Sequence, residues 1–262
     1  MNLEDVSTQL LYSVVPVFAE EDQGNKYMGT AFIFSVDQKD GSSIPLLITN
    51  YHIVEEANMC FAEMHTSIDG KPSKEIANIR FDKNVLGGSK LGKLDLIALP
   101  FASALNKLIK KNITVFYKGI GVNIIPQRED VENLAASENV TFIGYPSAAY
   151  DKVNKLPVYR QGITATPIWN NYEGEEAFLI DGNIFPGSSG SPVFIYDRLT
   201  HPTADGVAVG GRIMFVGILT DAMKDKEGKE HVGLGKVINC TSFYREINNY
   251  LKRLTGKSIE EM

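Results

Sequence analysis

Cysteine is scarce: Cys60 and Cys240 are the only two in 262 residues, too few for a disulfide framework, although one bridge between them stays open. Histidine is almost as rare. His65, His201 and His231 show no zinc-like spacing to one another or to the cysteines, so neither a metal site nor any other cofactor is expected. Basic residues are outnumbered, 26 Lys and Arg against 32 Asp and Glu for a net charge of −6, and no basic stripe of a nucleic-acid binder is present. The densest basic stretch, 108–111, reads as a solvated helix face. No apolar run approaches the ~18 residues of a membrane span. The opening Met-Asn-Leu-Glu-Asp has neither the basic start nor the apolar stretch of a secretory leader. These absences lead us to expect an intracellular, cytoplasmic chain with no nucleic-acid or membrane partner. Gly119-Ile-Gly-Val lacks the third glycine of a dinucleotide loop, and the alternating helices of an α/β-hydrolase are missing.

What is present is ordinary globular composition, 44% hydrophobic and 22% charged, in a chain long enough to bury a core without staples. The apolar period is mostly two, in short runs punctuated by Gly, Pro, Asn and Asp. Strands are expected at 12–19, 30–36, 45–49, 94–99, 114–117, 140–144, 158–164, 177–180, 192–196, 213–219 and 233–238. So many short strands indicate an all-β barrel or sandwich. Helical period is clear over 242–254, where Phe243, Ile247, Leu251 and Leu254 form one stripe; Thr241 or Ser242 caps it and Gly256 stops it. A weaker helix is expected at 102–110. Between 119 and 138 the strand period is lost and Pro126 and a charged patch enter, which reads as a linker. Glu173-Gly-Glu-Glu176 and the 224–230 loop read as solvated turns.

Three segments bear on chemistry together. Residues 46–54 form an apolar strand that delivers His52 at its end. In 93–100, Asp95 is the one acid of an otherwise apolar strand. Residues 181–193 carry a glycine-flanked serine, Ser189, just before another strand. Each alone has a plain explanation: a satisfied histidine, a turn aspartate, a Gly-Ser loop. Their co-occurrence in the order His, Asp, Ser is what points to nucleophilic catalysis, since a serine hydroxyl needs an adjacent base.

Thr49-Asn-Tyr-His-Ile-Val resembles the histidine motif of trypsin-like serine proteases, Leu94-Asp-Leu-Ile-Ala-Leu their aspartate strand, and Pro186-Gly-Ser-Ser-Gly-Ser-Pro-Val their nucleophile loop. The similarity is closest to the HtrA-like and other bacterial trypsin-like branches and covers nearly the whole chain. It implies a chymotrypsin-like fold of two six-stranded antiparallel β-barrels with a C-terminal α-helix. The parts would be a first barrel at 8–118 carrying His52 and Asp95, the linker at 119–138, a second barrel at 139–241 carrying Ser189, and the helix at 242–256. It further implies a serine endopeptidase acting on protein or peptide substrates, with His52 as base, Asp95 as its orienting partner and Ser189 as nucleophile. The backbone N–H groups of Gly187 and Ser189 would form the oxyanion hole. Asn183 would lie at the floor of the substrate pocket and Thr220, Asp221 and Ala222 along one wall, where substrate adds as a strand.

The chain also departs from the family. Ser188 stands where the digestive branch has an aspartate that pairs with a new N-terminus, so activity without propeptide removal, or control by something other than N-terminal insertion, is expected. No disulfide brackets His52, in keeping with a reducing compartment. After the final helix the sequence stops too soon for the peptide-binding PDZ module of HtrA proteins, so none is expected. A neutral Asn183 does not imply preference for Arg or Lys at the cleavage position. An intracellular protease with no propeptide needs restraint, so regulation by a protein partner or by a disordered activation loop is expected. Two other classes share these motifs: a catalytically silent protease-like binding module, and an esterase or acyltransferase using the same triad.

Overall fold

The computed structural model describes residues 2–21, 26–147, 149–203, 206–224 and 230–262; the body of the 224–230 loop lies outside the described residues. Six of the seven strands of the first sheet are β1 (Val14–Glu20), β2 (Lys26–Asp37), β3 (Ser43–Thr49), β4 (Met59–Ile68), β5 (Lys71–Asp82) and β6 (Ile97–Pro100). They run antiparallel in the order β5-β4-β1-β2-β3-β6, and the short β7 (Ile120–Gly121) lies parallel to β2. Strands β8 (Asn139–Gly144), β9 (Val158–Thr164), β10 (Ala177–Asp181), β11 (Pro192–Asp197), β14 (Arg212–Lys224) and β15 (Glu230–Asn239) form a closed barrel. Its order is β10-β15-β14-β11-β8-β9, and a separate hairpin, β12 (Thr200–Thr203) with β13 (Gly206–Val209), is inserted before β14.

The apolar runs of β2 and β3 are continuous because both faces of these strands are buried. Side chains alternate across a strand, so Ala31 and Ile33 join Val15, Val17 and Leu47 in the core of the first sheet. Phe32, Phe34, Leu46 and Ile48 face the other way, into a core shared with the barrel. There Phe215 of β14 lies 5.6 Å from Phe32 and 5.6 Å from Phe243, and Phe34 lies 5.1 Å from Phe243. Tilted aromatic pairs of this kind contribute about 0.5–1.5 kcal/mol each beyond burial. This shared core locks the two sheets together, so the loops between them are held at a fixed cleft.

Phe243 belongs to a helix at Cys240–Thr255, which begins earlier than its apolar stripe predicts. The cap is neither Thr241 nor Ser242 but Asn239, whose side chain accepts from the Ser242 N–H at 2.8 Å. Strand β15 runs straight into the helix, and Asn239 still pairs with Gly217. Gly256 ends it at φ 80°. Leu254 does not complete the stripe, being 52% exposed, and Tyr250 is buried beside Ile247 and Leu251 instead. The weaker helix is observed at Phe101–Ile109. Residues 119–138, which connect sheet and barrel, bury Ile120, Ile125, Val131 and Leu134 in the shared core. Expected strand 114–117 is only a single bridge, Val115 to Thr66, and 94–99 begins at Ile97. Cys60 and Cys240 are both free and buried, not bridged.

Candidate active site

After β3 ends at Thr49, the chain turns once through Tyr51–Ile53, and His52 sits on that turn. Asp95 holds the turn from two directions. Its backbone carbonyl accepts from the Tyr51 N–H at 3.2 Å and from Asn50 Nδ2 at 2.8 Å. Its carboxylate accepts from the His52 N–H at 2.9 Å through Oδ1, and pairs with His52 Nδ1 at 2.6 Å through Oδ2. The hydroxyl of Thr220 donates to the same Oδ2 at 2.7 Å. An ionised carboxylate only accepts, so Nδ1 carries the proton and Nε2 of the neutral ring keeps its lone pair.

Opposing effects set the charges. Burial pulls the His52 pKa down, but the hydrogen bond and charge of Asp95, with Asp221 and Glu55 adding theirs, carry it above the ordinary value. Burial pushes the Asp95 carboxyl up, yet the bonds and charge of His52 and the Thr220 hydroxyl hold it below the usual carboxylate range. The pair therefore favours ionised Asp95 and a basic imidazole.

The serine lies on the loop between β10 and β11. Two glycines make that loop possible. Gly187 has φ 87°, and a Cβ there would meet the Tyr145 carbonyl at 2.7 Å. Gly190 has φ 88°, and a Cβ would stand 1.9 Å from the Thr30 carbonyl. The loop is tied to both halves of the molecule. Thr30 N–H donates to the Ser189 carbonyl at 2.9 Å, Gly190 N–H to the Leu219 carbonyl at 2.8 Å, and Leu219 N–H to the Ser191 carbonyl at 2.9 Å. Leu219 is thus bonded to the serine loop while the next residue, Thr220, is bonded to Asp95. The backbone N–H groups of Gly187 and Ser189 have no acceptor among the described residues. No hydrogen bond joins His52 to Ser189 among the described residues. The neighbouring hydroxyls, Ser188 and Ser191, are buried, whereas Ser189 is partly exposed.

The four expected pocket residues have different surroundings. A cavity of about 620 Å³ beside His52 is lined by Thr220 and Asp221 with Leu94, Glu175 and Lys236, and neither Asn183 nor Ala222 lines it. Thr220 is buried with its hydroxyl on Asp95, and Ala222 is buried in the shared core. Asn183 is exposed at φ 50°, and its carbonyl accepts from Arg160, whose guanidinium lies over the rings of Phe142 and Phe185. The roles of Thr220 as carboxylate partner and of Asn50 as the holder of Asp95 were missed from sequence. A single threonine closing the apolar run 213–219 was the only trace of the first. Among the described residues, no group of three metal-ligating side chains converges.

Comparison with known proteins bears on the family and the fold. A family model described as trypsin-like peptidase domain matches residues 29–198. No curated protein matches the chain in sequence. Among solved structures, a variant of the HtrA-type protease AlgW with a tripeptide is 16% identical at a TM-score of 0.51, covering 98% of this chain and 65% of that one. A second AlgW structure, with a decapeptide, is 14% identical at a TM-score of 0.50, over 97% and 68% of the two chains. HL collagenase is 13% identical at a TM-score of 0.50, over 96% of both. At such identities the likeness is one of fold.

Proposed function

This chain belongs to the trypsin-like peptidase domain family and is a serine protease, and from that premise we propose that it is an endopeptidase whose nucleophile is Ser189. Nε2 of His52 takes the Ser189 proton as Oγ bonds to the scissile carbonyl carbon. The resulting oxyanion accepts from the N–H groups of Gly187 and Ser189. The imidazolium then gives its proton to the leaving amine as the C–N bond breaks, and water repeats the sequence on the acyl-enzyme. Asp95 keeps its charge throughout and holds the ring in the tautomer that leaves Nε2 free. The observation that carries this reading is the 2.6 Å pairing of Asp95 with His52 Nδ1, reinforced by Thr220.

Substrate would lie along the outer edge of β14. The ladder of β14 with β11 ends at Ile218, whereas its ladder with β15 continues through Lys224, so an extended peptide would add on the β11 side of β14 beyond Ile218. Asp221 and the cavity beside His52 would face side chains on the acyl side of the cut. Two free, buried thiols suit a reducing, intracellular setting. Restraint by a partner protein belongs to the same reading, and a purified chain that cuts casein at full rate unaided would remove it. The direct test is cleavage of an unfolded protein by wild type and by Ser189→Ala. Cleavage lost in the variant supports the endopeptidase; turnover of esters with every protein left intact would replace it with an esterase.

A further inference from the structure

Thr30 is wholly buried at the start of the inner run of β2, and its polar atoms are all committed. Its N–H donates to the Ser189 carbonyl at 2.9 Å and its carbonyl accepts from the Thr49 hydroxyl at 2.7 Å. Its hydroxyl accepts from the Tyr145 N–H at 2.9 Å and donates to the Gly187 carbonyl at 2.8 Å, across 157 residues of sequence. One side chain of the first sheet therefore grips the serine loop of the barrel on both sides of Ser188.

The geometry of the peptide unit gives this grip a consequence. A trans peptide is planar, with its C=O and the following N–H pointing in opposite directions. The Pro186 carbonyl is held by both the N–H and the hydroxyl of Ser147, at 3.0 and 3.1 Å, so the Gly187 N–H is turned away from Ser147. The Gly187 carbonyl is held by Thr30, which turns the Ser188 N–H towards its acceptor, the Phe185 carbonyl, at 3.1 Å. Gly187, at φ 87°, is the joint between these two fixed planes. With both carbonyls pinned, its N–H is the group left over, free to receive an oxyanion. Tyr145, the other partner of the Thr30 hydroxyl, stands two residues before Ser147, so a single hydroxyl couples both pins.

We infer that Thr30 is a positioning residue for catalysis, its hydroxyl setting the plane of the peptide that supplies the oxyanion donor at Gly187. This rests on the endopeptidase reading above. A threonine that merely satisfied a buried strand would, on removal, lower stability without acting selectively on turnover.

The experiment compares the full chain with Thr30→Val, which keeps shape and loses the hydroxyl, and with Thr30→Ser, which restores it. Three properties are measured: kcat and KM on a peptide substrate, thermal melting, and amide hydrogen exchange over residues 181–193. Losing one oxyanion donor costs about 10²–10³ in rate, and a loosened donor costs less. Thr30→Val is expected to lower kcat about 10–100-fold with KM within about 2-fold. Exchange over 181–193 should quicken while that over 50–54 stays as in wild type. Thr30→Ser should return both to near wild type. If Thr30→Val fails to fold, exposed Ser147→Ala tests the other pin, with a kcat loss of about 3–10-fold expected. The proposal is overturned if kcat is unchanged in the variant that folds, if exchange over 181–193 is unchanged, or if exchange rises uniformly along the chain. Should wild type show no turnover, the endopeptidase reading fails, while exchange over 181–193 still decides whether Thr30 holds the loop.

Discussion

Gly190→Ala is the substitution whose outcome is most constrained by the structure. The residue sits at φ 88°, where an L side chain costs about 1–2 kcal/mol. The added Cβ would also stand 1.9 Å from the Thr30 carbonyl oxygen and 2.8 Å from the Thr49 hydroxyl. The first contact is more than 1 Å too short, and neither neighbour can retreat freely. Thr30 is bonded through its N–H to Ser189 and through its carbonyl to Thr49, so any relief moves Ser189 itself. Overpacking of this kind adds about 1–3 kcal/mol, for a total of about 2–5 kcal/mol. In a chain of this size that is a fall in Tm of about 4–20 °C. A displacement of 1 Å at reacting atoms costs roughly 10²-fold in rate, so fluorophosphonate labelling of Gly190→Ala should slow at least that much at a temperature where the variant is folded. Gly256→Ala supplies the contrast. Gly256 also has positive φ, 80°, but no atom lies within 4 Å of its would-be Cβ. It should lose only about 1 kcal/mol and label at the wild-type rate. Gly190→Ala melting and labelling like Gly256→Ala would refute the reasoning.

His52 should titrate above the ordinary histidine value of about 6.5, and kcat/KM should rise with pH through that midpoint, because only the neutral ring is a base. In Asp95→Asn, burial is left as the main influence, so an NMR titration of His52 should show its midpoint lower than in wild type; a higher midpoint would contradict the pairing. The raised His52 pKa stabilises the fold below the unfolded value and loses that contribution as pH rises through the folded one. The lowered Asp95 pKa stabilises it above about pH 4 and loses that contribution as pH falls through its folded value. The Tm difference between wild type and Asp95→Asn should therefore be greatest between about pH 4 and 6.5. Burial pushes the Cys60 thiol up to about 12 and the Cys240 thiol to about 11, so neither should react with a thiol reagent at pH 8 until the chain is unfolded. Asn239→Ala should cost about 1 kcal/mol, read as a shift of the denaturation midpoint, whereas Thr241→Ala should leave that midpoint nearly unchanged.

The strands whose pattern was legible are those with a simple burial rule. Residues 158–164 alternate and form β9 with those bounds, and the unbroken apolar runs of β2 and β3 signal burial on both faces. The long hairpin of β4 and β5 was missed because its solvent face is crowded with charge. Ala77, Ile79 and Phe81 are buried in β5, but Lys74, Glu75 and Arg80 between and around them, with Pro72, hide the period. His52, Asp95 and Ser189 each stand on a recognisable local segment, and the first two lie paired at 2.6 Å. The second ring of partners was not legible. Thr220, Asn50 and Thr30 acquire their roles from contacts across 125, 45 and 157 residues, and nothing in their immediate neighbours distinguishes them from ordinary strand-end polar residues. The walls of the cavity beside His52 were equally illegible, because Glu175 and Lys236 reach it from elsewhere in the barrel, while Ala222 is buried in the shared core.

The central claim is that Ser189 is a nucleophile activated by His52. It is tested most directly by fluorophosphonate labelling followed by intact mass and peptide mapping, on wild type beside Ser189→Ala and His52→Ala. One adduct per chain on Ser189 in wild type, and none in either variant, is the predicted result. An adduct on Ser188 or Ser191, labelling that persists without His52, or a wild type that takes no label even after cell extract is added, would contradict it.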